Sequence, residues 1–190
     1  MLSAKRDRLL QMSRLSHWVH PERFPAGLEM LNERQQTRLL CLHHKVALPP
    51  LDEMVAPRLH ALIALWPQLA RLSLMTGSLG YTGAVCALRL QSCYQSGDLT
   101  FLTPLALQCC PFPAPLPDRE FNAALLCQRG WDTCCEVFAV SHSLKQLGCL
   151  ALPPGEKTAV PLPPLAASPR VSQTLNHIIN YLLKGERYNE

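Results

Sequence analysis

The chain has 190 residues, 48% of them hydrophobic, 17% charged and only 6% aromatic, with a formal net charge of +4; that is length enough for one core without covalent staples. The apolar mass is aliphatic, which favours helices over sheet, and a pI near 8.6 with scattered Lys and Arg falls short of a dedicated nucleic-acid domain. Nine cysteines are an odd number, and the adjacent pairs Cys109-Cys110 and Cys134-Cys135 are poorly suited to a secreted disulfide framework, so the thiols read as reduced.

Ser3 to Leu15 can form a short helix with Leu9 and Leu10 on one side and Lys5, Arg6, Arg8 and Arg14 around the rest. Its apolar run is far too short for a signal peptide. The turn Leu15 to Pro25 follows. Pro21 pushes His20, and Pro25 pushes Phe24, toward extended geometry, so Trp18, Val19 and Phe24 stand on a stiff, non-helical backbone that packs or binds. From Gly27 to Ala47, Leu28, Leu31, Leu39, Leu42 and Val46 suggest one long or two short amphipathic helices, closed by Pro49-Pro50. Asp52 and Glu53 sit at the favourable start of the next helix. Leu59, Leu62, Ile63, Trp66, Leu69, Ala70 and Leu72 trace its buried face, with Pro67 expected to bend or divide it. His60, Pro67, Gln68 and Arg71 interrupt this most apolar stretch, so it is no membrane span.

Gly77 to Gly83 makes a turn or a close helix contact. Ala84 to Tyr94 is helical again, stopped by Gly97-Asp98, and Leu99 to Cys110 is a further short helix broken near Pro104. The prolines at 111–117 mark a possible sub-boundary. Asp118 to Gln128 reads as a capped helix ended by Gly130, and Cys134 to Leu150 as helix despite some β-branched content. Residues 153–169 form a proline-rich connector, exposed and partly extended. A terminal docking helix follows from Val171 to Lys184, with Leu175, Ile178, Ile179 and Leu182 in its apolar stripe and Gly185 as its stop. The expected fold is all-α: one irregular helical domain over 1–190 with proline-rich connectors and a C-terminal docking helix.

No chemical motif is complete. Cys41, His43 and His44, and His17 with His20, lack structural-zinc spacing, and no Cys-x-x-Cys is present. Gly77-Ser78-Leu79-Gly80 follows a helical pattern, unlike a nucleophile elbow. Gly155-Glu156-Lys157-Thr158 has glutamate where a phosphate loop needs glycine. Pro161-Leu162-Pro163-Pro164 fits a P-x-x-P pattern but serves equally as a stiff connector. The expectation is therefore a non-enzyme with no catalytic, cofactor or metal residues. A thiol- or metal-dependent small enzyme and a helical DNA-binding regulator using the basic start remain as alternatives.

The segment Trp18-Val19-His20-Pro21-Glu22-Arg23-Phe24-Pro25 resembles the opening of the SctK family (YscK, PscK, MxiK and OrgA) of bacterial type III secretion systems. Leu65-Trp66-Pro67-Gln68-Leu69-Ala70-Arg71 running into Gly77 to Gly80 resembles that family's helical centre, and Val171-Ser172-Gln173-Thr174-Leu175 into Ile178-Ile179 its last helix. The abundant cysteines and the proline-rich second half have no counterpart in the resemblance. It implies an all-helical, non-catalytic adaptor of the cytoplasmic sorting platform. Its partners would be an SctD-like inner-membrane ring protein and SctQ- and SctL-like pod proteins, with no nucleic acid and no direct membrane insertion. The implied location is the cytoplasm, peripheral to the inner membrane. On that reading Trp18, His20 and Phe24 order one contact face, and Leu175, Ile179 and Leu182 contribute a second.

Overall fold

The computed structural model describes residues 10, 12, 14–110, 121–155 and 161–186, and every regular element among them is helical. The helices are α1 (Glu33–His44), α2 (Leu51–Met54), α3 (His60–Ala64), α4 (Leu69–Gly77), α5 (Thr82–Ala87), α6 (Asp98–Cys109), α7 (Ala123–Val137), α8 (His142–Cys149) and α9 (Pro169–Glu186). Single 3₁₀ turns at Leu15–His17, Pro21–Arg23, Leu28–Met30, Pro57–Leu59, Trp66–Gln68 and Leu90–Cys93 supply most of the corners. No described helix is long and apolar enough to cross a membrane. The start of the first expected helix, the proline crossing at 111–117 and the segment 156–160, which holds most of the phosphate-loop-like stretch, lie outside the described residues.

The long helical region after Pro50 divides where its prolines require. Pro57 and Pro67 each occupy the opening of a 3₁₀ turn, where a missing N–H costs nothing, and the chain re-enters α-helix at His60 and at Leu69. Leu59, Leu62, Ile63, Trp66, Leu69 and Leu72 are all buried, with Ala70 half-buried. The 27–47 region resolves into the short turn Leu28–Met30 and α1. A capping box starts α1: the Gln35 N–H donates to Asn32 Oδ1 at 3.0 Å, and Gln35 Oε1 accepts from the Asn32 N–H at 3.2 Å, each satisfying a donor the helix leaves open.

The centre of the molecule is the crossing of α4 and α7. Both main chains come together at Gly77 and Gly130: a methyl group added to Gly130 would lie 1.8 Å from the Ser73 carbonyl oxygen, and one added to Gly77 the same distance from that of Leu126. Gly130 is therefore not the helix stop expected from sequence. It lies inside α7, which runs on to Val137, because close approach of a second helix needs a residue without a side chain. Asn122 caps α7 through the Leu125 N–H at 3.0 Å; the expected acidic start at 118–120 is outside the described residues.

Three further expectations change. Pro104 does not break α6, which continues from Asp98 to Cys109; Pro104 faces solvent, where the Thr100 carbonyl that loses its partner stays close to water, and burial of Leu102 and Ala106 on the other side holds the helix together. Gly185 lies within α9 and does not end it. The 134–150 region is helical but interrupted, since Ala139 adopts a left-handed conformation (φ 48°) and α8 starts afresh with Ser141 as its cap. Glu53 of α2 ties that cap down, accepting from the Ser141 N–H at 2.9 Å and its hydroxyl at 2.5 Å.

Candidate docking surface

The segment before α1 folds as a bracket clamped on both sides. His20 donates its N–H to the Leu150 carbonyl at 2.8 Å, and Arg23 Nε donates to the Leu152 carbonyl at 2.9 Å, fixing the bracket to the chain just after α8. On the other side His44 Nε2, at the end of α1, donates to the Arg23 carbonyl at 2.8 Å. Pro21 opens a 3₁₀ turn capped by His20, whose Nδ1 accepts from the Glu22 N–H at 3.4 Å. The stiffness expected of the His-Pro sequence is thus built into main-chain hydrogen bonds that reach over a hundred residues along the chain.

Trp18 sits at the outer end of an aromatic ladder. Its ring meets Trp66 edge-on at 5.5 Å between centroids, and Trp66 meets Trp131 in the same way at 6.1 Å, arrangements that the ring quadrupoles favour. Trp131 is fully buried, Trp66 nearly so and Trp18 half-buried, so the ladder runs from the α4–α7 core to the surface. Trp18 Nε1 donates to the Met12 carbonyl at 3.2 Å. A cavity of about 300 Å³ opens here, lined by Arg14, His17, Trp18, Trp66 and Pro67. At its edge Glu33 of α1 takes both Arg14 Nε at 3.3 Å and His17 Nε2 at 2.9 Å. All of these side chains are about half exposed, so the cluster orders the rim without contributing much stability.

Outward from the bracket, α1 carries an unusual load of exposed leucine. Leu39 and Leu42, one turn apart, are 38% and 64% exposed, Met30 before the helix is 90% exposed, and only Leu40 of α1 is buried. Single exposed leucines are ordinary; Leu39 and Leu42, with Met30 ahead of the helix, leave apolar surface exposed along one short stretch of chain.

Of the residues expected to make contacts, Trp18, His20 and Phe24 are brought together in the bracket, each half-buried. Leu175, Ile179 and Leu182 belong elsewhere. They are 0%, 2% and 0% exposed, and α9 uses them against α3, α4, α6 and α7. That stripe is core, so a contact on α9 falls to its outward residues. Sequence reading passed over Trp66 and Pro67 as site residues, although Trp-Pro inside an apolar run is a local signal for a presented ring. The connector at 161–168 is also less free than expected: Leu162 is buried and the Leu165 N–H donates to Thr133 Oγ1 at 3.0 Å.

Behind the bracket the charges serve the fold. Arg129, 4% exposed, faces no carboxylate among the described residues; its Nη1 donates to the Gly77 and Leu79 carbonyls at 2.5 and 2.7 Å, its Nε to the Pro163 carbonyl at 2.9 Å, and its guanidinium lies over the Tyr81 ring. Desolvation lowers its pKa. Arg71 grips the fully buried Asp98 through both carboxylate oxygens at 2.6 and 3.1 Å, and the Tyr181 hydroxyl donates to the same carboxylate at 3.2 Å. Ser78 is buried, donating to the Leu74 carbonyl at 2.6 Å and bonded to the Tyr94 hydroxyl. Burial raises the Cys127 and Cys134 thiols to about 12. Among the described residues no three His, Cys, Asp or Glu side chains converge as a metal site would require.

No protein-family model, curated protein or solved structure matches this chain.

Proposed function

We propose that the chain is a non-enzymatic adaptor of a type III secretion sorting platform, linking an SctD-like inner-membrane ring protein to SctQ- and SctL-like pod proteins beside the export ATPase. The observation that carries this reading is the bracket. The residues that resemble the SctK opening, Trp18 to Pro25, form a pinned element with an aromatic cleft on one side and the leucine-bearing α1 on the other. Pre-ordered apolar and aromatic groups lower the entropy lost on association, which is what a docking surface needs. The all-helical fold agrees with the resemblance.

Capture of a tagged copy from its native cells after mild crosslinking tests the reading. Recovery of the ring protein together with pod proteins is the expected result, and the double variant Trp18→Ala/Phe24→Ala, still folded by circular dichroism, should lose at least one of them. Capture of neither, or full capture by the folded double variant, would refute the assignment.

A further inference from the structure

Exposure divides α1 lengthwise. At about 100° per residue, Arg34, Arg38, Leu42, Gln35, Leu39 and His43 follow one another around one side of the helix, and all six are exposed. Gln36, Thr37, Leu40, Cys41 and His44 occupy the other side, buried or half-buried. Both exposed leucines therefore stand in the middle of the outward arc, one turn apart, with the two arginines along one edge. Lys45, exposed at the C-cap, adds a cation at the far end. No Asp or Glu occurs from Arg34 to Leu51, and Glu33 at the head of the helix is taken by Arg14 and His17. Among the described residues Arg34, Arg38 and Lys45 form no ion pair. The arc thus joins apolar surface to positive charge that the described part of the chain does not compensate.

Side chains one turn apart on a helix match one turn of a facing helix, the pattern by which amphipathic helices dock through residues three and four apart. A row of cations beside them attracts carboxylates and repels a partner of the same sign, and arginine adds the planar fork that binds a carboxylate through two N–H groups. We propose that the outward arc of α1 docks an acidic amphipathic helix of a partner protein. Apolar residues three or four apart on that helix pack on Leu39 and Leu42, while its carboxylates meet Arg34 and Arg38 along the edge and Lys45 at the end. The inference rests on the docking role proposed above for the bracket and α1, and adds the chemistry of what binds there. An anionic membrane is the weaker match. A helix lying in a lipid surface carries an apolar face along its length, whereas the first turn of α1, Glu33 to Gln36, is polar throughout.

The probe is a labelled synthetic helical peptide of about 16 residues, with leucines at helical spacing, glutamates flanking them and alanine elsewhere. A copy with every glutamate replaced by lysine is the control, and vesicles of phosphatidylcholine and phosphatidylglycerol form the membrane arm. Titrated with the full chain at low salt, the glutamate peptide should bind about tenfold or more tightly than the lysine peptide, with the advantage shrinking as salt rises. Leu39→Ser/Leu42→Ser should weaken it about tenfold. Arg34→Glu/Arg38→Glu, at two exposed positions, should reverse the preference so that the lysine peptide binds better, a gain that misfolding cannot produce. Equal binding of the two peptides, binding of neither, an unchanged preference in the reversed variant, or tighter binding to the vesicles than to the glutamate peptide would overturn the proposal. Failed capture of secretion proteins beside a sustained glutamate preference would refute the sorting-platform assignment alone, and full capture beside no preference would refute this inference alone.

Discussion

Where α4 crosses α7 the main chains meet at Gly77 and Gly130 with no side chain between them, and Arg129 binds the carbonyls at the end of α4 to the strap at Pro163. The bracket at Leu15–Phe24 is held instead by hydrogen bonds to Leu150 and Leu152, an edge-on tryptophan contact and a half-exposed charge cluster. One region has no slack for even a methyl group; the other leaves a cleft open and hydrophobic side chains in water. The contrast shows how a small helical protein divides its labour. Uniqueness of the fold is concentrated in a crossing that has no room for a side chain at Gly77 or Gly130, so a peripheral element can keep apolar groups exposed without the whole chain losing its shape.

The largest effect expected from that contrast is at the crossing. Alanine at Gly130 or Gly77 must push two helix backbones apart, so each variant should lose about 3 kcal/mol or more in urea unfolding, although alanine in an unobstructed helix would gain up to about 1 kcal/mol over glycine. Next comes Arg129→Met. It leaves the Gly77, Leu79 and Pro163 carbonyls without their donor, and unfolding should show a loss of about 3 kcal/mol, with Arg129→Lys recovering only part because it cannot span the same fork. Trp18→Ala should cost about 1–2 kcal/mol, since the ring is only half-buried, while its effect on partner capture should far exceed its effect on stability. The smallest change belongs to Gly83→Ala in α5, where nothing lies within 4 Å of an added methyl; its unfolding midpoint should stay put or rise by about 0.5 kcal/mol equivalent. A Gly83 variant as damaging as Gly130→Ala would erase the distinction between the two kinds of site.

Much of the helical layout was legible because its signals are local. The stripes Leu59 to Leu72 and Leu175 to Leu182 repeat at helical spacing and are buried as that spacing requires, and Pro67 divides its region because proline has no N–H to give. Errors arose where a local signal was overruled by a distant neighbour. Gly130 has the form of a stop and is instead a contact with Ser73 and Gly77, which lie more than fifty residues earlier in the sequence. Pro104 is tolerated because its side of α6 faces solvent. The α9 stripe looked equally suited to a partner or to the core, since periodicity reports an apolar face but not what covers it. Arg129 had no local mark at all. Of the docking surface, Trp18, His20 and Phe24 could be found from the His-Pro turns, whereas Trp66 joins them through packing.

The most direct test is hydrogen exchange on the chain alone and in the presence of the cytoplasmic domain of an SctD-like ring protein, the partner proposed for it. The account predicts that α4 and α7 are the slowest to exchange in both samples, and that complex formation adds protection to residues 14–44 while leaving those helices unchanged. Protection that falls on α4 and α7 and spares residues 14–44, or no change with saturating partner, would contradict the claim that the bracket and α1 are the docking element.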